Sequence, residues 1–281
     1  MRLFLKKIMN LLRFQLAHHN PTHVPNIPIY DRNDIEYENK RRLENTLYLD
    51  RFGYKVYSQN DEDGIIAEIF NRIGTTNKQF IEFGVQNGLE SNGHFLLHKG
   101  WQGLWIDGSK KNIKQSKKNF KKPIKNKQLS VLNAFITRDN INDLIIGENI
   151  SGEIDFLSID IDGNDYHIWN AITCINARVV CIEYNAKFPP DYEWVMPYNP
   201  NHIWDGSDLF GASLKSLEKL GIKLGYQLVA TNMNGINAFF VRKDLAKELF
   251  PNPATAENLY HSWHFRKFAS SGHPARIYIG S

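Results

Sequence analysis

The sequence predicts an α/β domain with a mostly parallel, Rossmann-like sheet and an antiparallel hairpin at its C-terminal edge. Three observations predict it. From residue 57 onward, short apolar runs alternate with stretches of helical periodicity, the pattern of βαβ units with right-handed crossovers. Five of these runs end in polar residues or glycine turns, where ligands of open parallel sheets bind. The last two runs are joined by a short turn with no helix between them, which marks a hairpin.

The elements follow in chain order. Residues 1–17 are apolar and basic, with Arg2, Lys6, Lys7 and Arg13. The charges interrupt any signal-peptide core, and no run reaches the ~18 apolar residues of a membrane span. A terminal helix covering the domain or another subunit is expected; a basic amphipathic helix on a membrane surface is the alternative. Residues 18–56 read as irregular around Pro21, Pro25 and Pro28, with a short helix over Asp31–Arg42. A helix over Asp61–Ile73 follows from Ile65, Ile66, Ile69, Phe70 and Ile73. Strands are expected at Gln79–Phe83, Gly103–Ile106, Leu129–Leu132, Ile154–Ile159 and Val179–Ile182. The intervening helices are expected at Leu89–Lys99, Asn112–Lys122, Ile141–Ile146 and Tyr166–Ile175. Leu214–Leu224 is a further helix, with Ser213 as N-cap and Gly225 as its stop. Strands Tyr226–Thr231 and Ala238–Arg242 flank the turn Asn232-Met233-Asn234-Gly235. The domain is thus expected over 57–245, between an N-terminal extension (1–56) and a C-terminal tail (246–281).

Composition sets outer limits. The chain has 281 residues, 42% of them hydrophobic and 12% aromatic, which excludes a disordered or low-complexity protein. Cys174 and Cys181 are the only cysteines. Two cysteines make neither a disulfide framework nor a zinc site, and buried thiols in a reducing cytoplasm are expected.

The candidate site lies at the strand ends. Glu82-Phe83-Gly84-Val85-Gln86-Asn87-Gly88 follows the first strand. Its Gly-x-x-x-Gly spacing is not the dinucleotide fingerprint, which argues against NAD and FAD, and no Gly-Lys-Ser/Thr follows to make it a P-loop. Asp107 ends the second strand, where an acceptor-only carboxylate can take both hydroxyls of a ribose. Asn133 ends the third, facing an adenine edge. Asp160, Asp162 and Gly163 follow the fourth, and Glu183-Tyr184-Asn185 close the fifth.

These residues resemble the FkbM-type branch of the S-adenosylmethionine-dependent methyltransferases. The resemblance covers roughly residues 57–245. It rests on Tyr57-Ser58-Gln59-Asn60-Asp61-Glu62-Asp63-Gly64, on Phe80–Gly88, on Leu104–Gly108 and on Phe156–Asp165, whose core is Asp160-Ile161-Asp162-Gly163-Asn164-Asp165. Ile182–Asn185 and the segment Trp204–Ser213 complete it. It implies a Rossmann-like methyltransferase fold with S-adenosylmethionine as cofactor. Glu82, Gly84 and Gly88 would line the methionine side, Asp107 the ribose and Asn133 the adenine, with Asp160 also at the cofactor. It further implies methylation of a hydroxyl on a sugar or other natural product; a sugar, nucleotide-sugar or surface-glycan acceptor, in polysaccharide assembly, is the expectation.

An alcohol needs a base or a metal to become a nucleophile. Asp160, Asp162, Asp165 and Glu183 gather at neighbouring strand ends, and Asp160, Asp162 and Glu183 suit Mg²⁺ or another divalent ion. The competing reading makes Asp165 a helix cap and Asp162 a turn residue. His167 is a candidate base because imidazole titrates near neutrality, and Lys187 is another; an exposed helix histidine is the bland alternative. Tyr192–Trp204, with His202 inside it and Asp205 just beyond, is long enough to be a lid or acceptor platform, or simply packs on its own domain. Tyr260–Lys267 is expected to dock on the fold, with phosphate binding by Arg266 and Lys267 as the alternative.

Two rival functions remain at this level. A nucleic-acid methyltransferase draws support from the lysine run but lacks an Asn-Pro-Pro-Tyr/Phe motif after the fourth strand. A non-catalytic scaffold is opposed by the glycine loop and Asp107. The net charge of +4 is unevenly placed. Residues 110–127 carry nine lysines and no acid, and without these and the four N-terminal bases the remainder is acidic, at −9. Both basic segments suit an anionic membrane surface or a phosphate-bearing acceptor better than nucleic acid. A cytoplasmic protein is expected, with peripheral contact to the inner membrane face through its basic N-terminus as the alternative; an oligomer is compatible with it.

Overall fold

A computed structural model describes Lys40 and residues 44–262. The chain divides into two compact units, Met1–Lys40 and Arg41–Ser281, and the second is described here. The expected N-terminal helix over 1–17, the helix over 31–42 apart from helical Lys40, and the end of the tail with Arg266 and Lys267 lie outside the described residues.

The second unit is an α/β fold with a Rossmann-like, mostly parallel sheet. A seven-stranded sheet has the order β3-β2-β1-β4-β5-β7-β6. Its strands are β1 (Gln79–Phe83), β2 (Gln102–Asp107), β3 (Leu129–Asn133), β4 (Gly152–Ile159), β5 (Ile175–Glu183), β6 (Tyr226–Thr231) and β7 (Asn237–Arg242). The first five pair in parallel, and β7 enters antiparallel between β5 and β6. The helices are α1 (Glu62–Ile73), α2 (Asn92–His98), α3 (Lys110–Asn119), α4 (Lys121–Lys125), α5 (Ile141–Gly147), α6 (Asp165–Ala171), α7 (Leu214–Leu224), α8 (Lys243–Ala246) and α9 (Ala256–Leu259). Two apolar clusters cover the two faces of the sheet. One gathers Ile81, Leu104, Leu157, Ile168 and Leu217; the other gathers Ile65, Ile69, Phe80, Trp105 and Phe239. The packed body reaches past the expected bounds at both ends, since Leu49, Ala256 and Leu259 are buried in these clusters.

Several element ends differ from the expected ones, each for a local reason. The helix expected from Leu89 begins at Asn92, where the buried Glu82 carboxylate accepts the amides of Asn92 and Gly93 and satisfies two orphan donors. The helix expected over Asn112–Lys122 starts at Lys110 behind an N-cap at Ser109 and breaks at Phe120. Pro123 has no N–H to continue it, yet sits comfortably in the first turn of α4. The helix expected to reach Ile175 ends at Ala171, and β5 begins at Ile175 rather than Val179. Arg178 disguised that strand. It is buried because its guanidinium pairs with fully buried Asp155 and donates to the carbonyls of Ile73 and Gly74. Asp155 in turn accepts the amides of Thr76, Asn77 and Lys78. This buried charge pair anchors the end of the sheet opposite the candidate site.

The hairpin and the described tail follow the expectation. Ser213 caps α7 by accepting the Ser216 amide, and Gly225 ends it in the left-handed region. The Tyr260 hydroxyl donates to Ala186 O and the Tyr184 hydroxyl to His261 O, so the tail docks on the end of β5. Among the described residues, no helix is long and apolar enough to cross a membrane.

Candidate active site

The carboxyl ends of β1, β2, β4 and β5 open onto three cavities. The first, of ≈ 210 Å³, is lined by Glu82, Gly84, Gln86, Asn92, Asp160 and Asn237, among others. The second, of ≈ 260 Å³, shares Gly84, Gln86 and Asp160 with the first and adds Asp107, Phe135 and Asp162. The third, of ≈ 310 Å³, is lined by Asp162, Glu183, Tyr184, Lys187, Trp204 and Phe210.

The glycine loop lines both of the first two. Gly84 has φ +73°, and a Cβ there would fall 1.6 Å from the carbonyl oxygen of Asp160. Only glycine allows β1 to come so close to the end of β4. Gln86 also adopts a left-handed φ, +49°, a strain that non-glycine residues accept chiefly at functional sites. Its amide donates to Asp107 Oδ2 while the Ser109 amide donates to Oδ1. Gly88 serves packing instead, because a Cβ there would lie 2.5 Å from the Trp105 ring, and it lines neither cavity. Glu82 is tied to structure as well. Its carboxylate accepts Asn92 N, Gly93 N and Trp105 Nε1, and burial pushes its pKa up to about 7 against those bonds. Asn133 turns back to donate to the backbone oxygen of Asp107. Ala134, Phe135 and Ile136, just beyond it, line the second cavity, and Phe135 is 47% exposed.

Asp160, Asp162 and Glu183 converge. Each offers an oxygen, and the three lie within 4.8 Å of one another. Glu183 Oε2 is buried with no hydrogen-bond partner. Asp162 holds φ +57°, a left-handed turn conformation that aspartate tolerates. Burial first, and then the charges of Asp162 and Asp165, hold Asp160 well above the usual carboxylate range. Glu183 is raised by burial and then by Asp160. Three carboxylates so close cannot all ionise without a proton or a cation among them, and an oxygen set of this kind fits a hard divalent ion. Asp165 stands apart. Its two oxygens accept the amides of Ile161 and Gly163, so it fixes the preceding loop rather than capping α6.

The two base candidates diverge. Lys187 lines the third cavity, is ion-paired with Asp208, and has its pKa lowered by burial. His167 Nε2 donates to Met196 O at 2.7 Å, and the residue lines none of these cavities. It holds the loop carrying Met196. His202 is the imidazole at the site, with Nε2 3.0 Å from Asp162 O. The aromatic loop is split. Trp194 is buried and stacks on Phe188 at 4.7 Å, whereas Trp204 is 49% exposed at the third cavity.

Sequence reasoning passed over Gln59, Gln86 and Asn237. Asn237 is paired with Glu183 in the sheet and donates to Glu62 Oε1. Glu62 also accepts from Asn60 and Asn232. The segment before β1 is thereby tied to the far hairpin, and Gln59 is carried to the first and third cavities. Its cue was the polar run Ser58–Asp63 ahead of an apolar helix.

No family model matches the chain, and no curated protein matches it. Among solved structures it is similar to a methyltransferase of Podospora anserina bound to S-adenosylhomocysteine: 14% identity, 79% of this chain and 100% of that one, TM-score 0.44. It is also similar to the magnesium protoporphyrin IX methyltransferase of Synechocystis with bound S-adenosylmethionine, at 10% identity over 84% and 97% of the chains and a TM-score of 0.42. An O-methyltransferase of Bacillus cereus is similar at 15% identity over 58% and 70%, with a TM-score of 0.37. At such scores the likeness is a loose one of fold and says nothing of substrate.

Proposed function

We propose that this protein transfers a methyl group from S-adenosylmethionine to a hydroxyl of a sugar or glycan precursor. One observation carries the reading. The acidic cluster stands where the cavities meet: Asp160 lines the first two, Asp162 the second and third, and Glu183 the third. A cofactor lying along the first two would present its reactive end to an acceptor in the third.

The residues fit the cofactor's parts. Asp107 supplies acceptors for ribose hydroxyls, Phe135 a ring face for adenine, and the cradle at Gly84 room for close backbone approach. Asp160 brings negative charge to a cationic sulfonium. S-Adenosylmethionine supplies an already activated methyl group. The chain's own work is to orient the acceptor oxygen and remove its proton. Trp204 and Phe210 offer faces to a sugar ring. Lys187, steadied by Asp208, donates to a neighbouring acceptor oxygen. Glu183 Oε2, buried and unpartnered, receives the hydroxyl proton. A divalent ion held by Asp160, Asp162 and Glu183 would acidify a vicinal diol instead.

Calorimetry with S-adenosylmethionine tests the cofactor. Asp107→Ala is expected to weaken binding about 10- to 100-fold, the worth of one or two charge-assisted hydrogen bonds. No binding by the unaltered protein refutes the proposal. A mass-shift screen over nucleotide-sugars and glycan fragments, with and without chelator, tests the acceptor and the metal. A one-methyl gain lost on chelation supports the ion, and an unchanged rate excludes it.

A further inference from the structure

The nine lysines of residues 110–127 have no part in the chemistry above, and their surroundings are informative. All nine are exposed, and among the described residues none is in an ion pair. On α3 the lysines fall at 110, 111, 114, 117 and 118, while Ile113 and Ser116 turn inward. Lys121, Lys122 and Lys125 continue the charge on α4. Phe120, at the junction, is buried. The outer face is therefore lysine interspersed with polar Gln115, Asn119 and Asn126, with no exposed apolar side chain to insert. It is also fixed in place, because Ser116 Oγ donates to Gln86 O and Asn119 Nδ2 to Asn87 O. A rigid basic face thus leans on the glycine loop.

We infer that this face is an electrostatic docking surface for an anionic lipid bilayer. The charge is spread over two helices and carried by lysine alone. A single phosphate group cannot engage nine lysines, and arginine is the residue suited to bidentate phosphate contacts. Nucleic acid is less well matched, since no exposed aromatic between Lys110 and Lys127 can stack on a base. Clusters of four to eight basic residues on a helix suit an anionic leaflet, each adding about fivefold to the partition. The acidic remainder of the chain is repelled by such a leaflet, so adsorption is oriented with the lysine face down. The inference stands independently of the proposed methyl transfer.

Sedimentation of the full chain with vesicles tests it. Phosphatidylcholine vesicles alone are compared with vesicles of phosphatidylcholine and phosphatidylglycerol. Binding to the second set only is expected, and it collapses as salt shortens the Debye length. Because residues 1–17 are also basic, the variant is confined to the patch: Lys114→Gln, Lys117→Gln, Lys118→Gln and Lys121→Gln together. It is expected to bind about 600-fold more weakly, at about fivefold for each of the four lysines. A control set, Lys223→Gln, Lys243→Gln and Lys247→Gln, should bind as the unaltered protein does. Equal binding to neutral vesicles, salt-insensitive binding, or an unweakened patch variant overturns the inference. So does tight binding of random RNA that anionic vesicles fail to displace. The salt titration on unaltered protein decides the matter even if the variant folds poorly.

Discussion

At the scale of single residues, the site is built from groups whose first duty is to the fold. Glu82, expected at the cofactor, lines the first cavity, and its carboxylate also starts α2 and holds Trp105. Such a role is invisible in sequence, because a glutamate ending a strand reads the same whether it meets a ligand or a helix. Its pKa of about 7, against 4.5 in a free side chain, sets a pH dependence. The folded state binds this proton more tightly than the unfolded state. Stability from this group is therefore full at low pH and falls as pH rises from about 4.5 to 7, by on the order of 3 kcal/mol. Melting midpoints across that window should show the decline in the unaltered protein, and Glu82→Gln, which cannot ionise, should flatten it. Gly84, by contrast, was legible because a glycine directly after a strand is a backbone statement. Gly84→Ala forces a Cβ against Asp160 O and should cost at least about 2 kcal/mol in denaturant unfolding. Unchanged stability would mean that the close approach of β1 and β4 is not obligatory.

At the scale of elements, what could be read was what periodicity and caps encode. The α7 helix shows this: Ser213 and Gly225 mark its ends in sequence and in structure. Ser213 Oγ accepts the amides of both Ser216 and Trp194, so it joins the helix to the aromatic loop. Ser213→Ala should cost about 1 to 2 kcal/mol by thermal unfolding, the upper part of the range for an N-cap. What could not be read was masked by pairing across the chain. The first half of β5 lay hidden because Arg178 breaks the apolar run, and only the partner Asp155, 23 residues earlier, makes that arginine compatible with burial. His167 and His202 exchanged places for a similar reason. Position on a helix suggested the first, whereas the loop's return past Gly163 brings the second to Asp162.

At the scale of the whole molecule, distant segments are clasped together. The Arg72 guanidinium on α1 donates to Thr46 O and Leu47 O on one side and Leu249 O on the other, while pairing with Glu68. Arg72→Ala should release both flanks, and limited proteolysis should then cut near residues 44–47 and 247–250 faster than in the unaltered protein. Equal cutting patterns would show that packing around Leu49 and Phe250 suffices. A second clasp joins Glu62 to Asn232 and Asn237, the latter 175 residues away. It has a consequence for biosynthesis. A nascent chain that has emerged only as far as β5 contains all five parallel strands, yet the wall that Asn237 adds to the first cavity is still to be translated. The first cavity is therefore completed among the last events of synthesis, and a chain that ends before β7 lacks one of its walls.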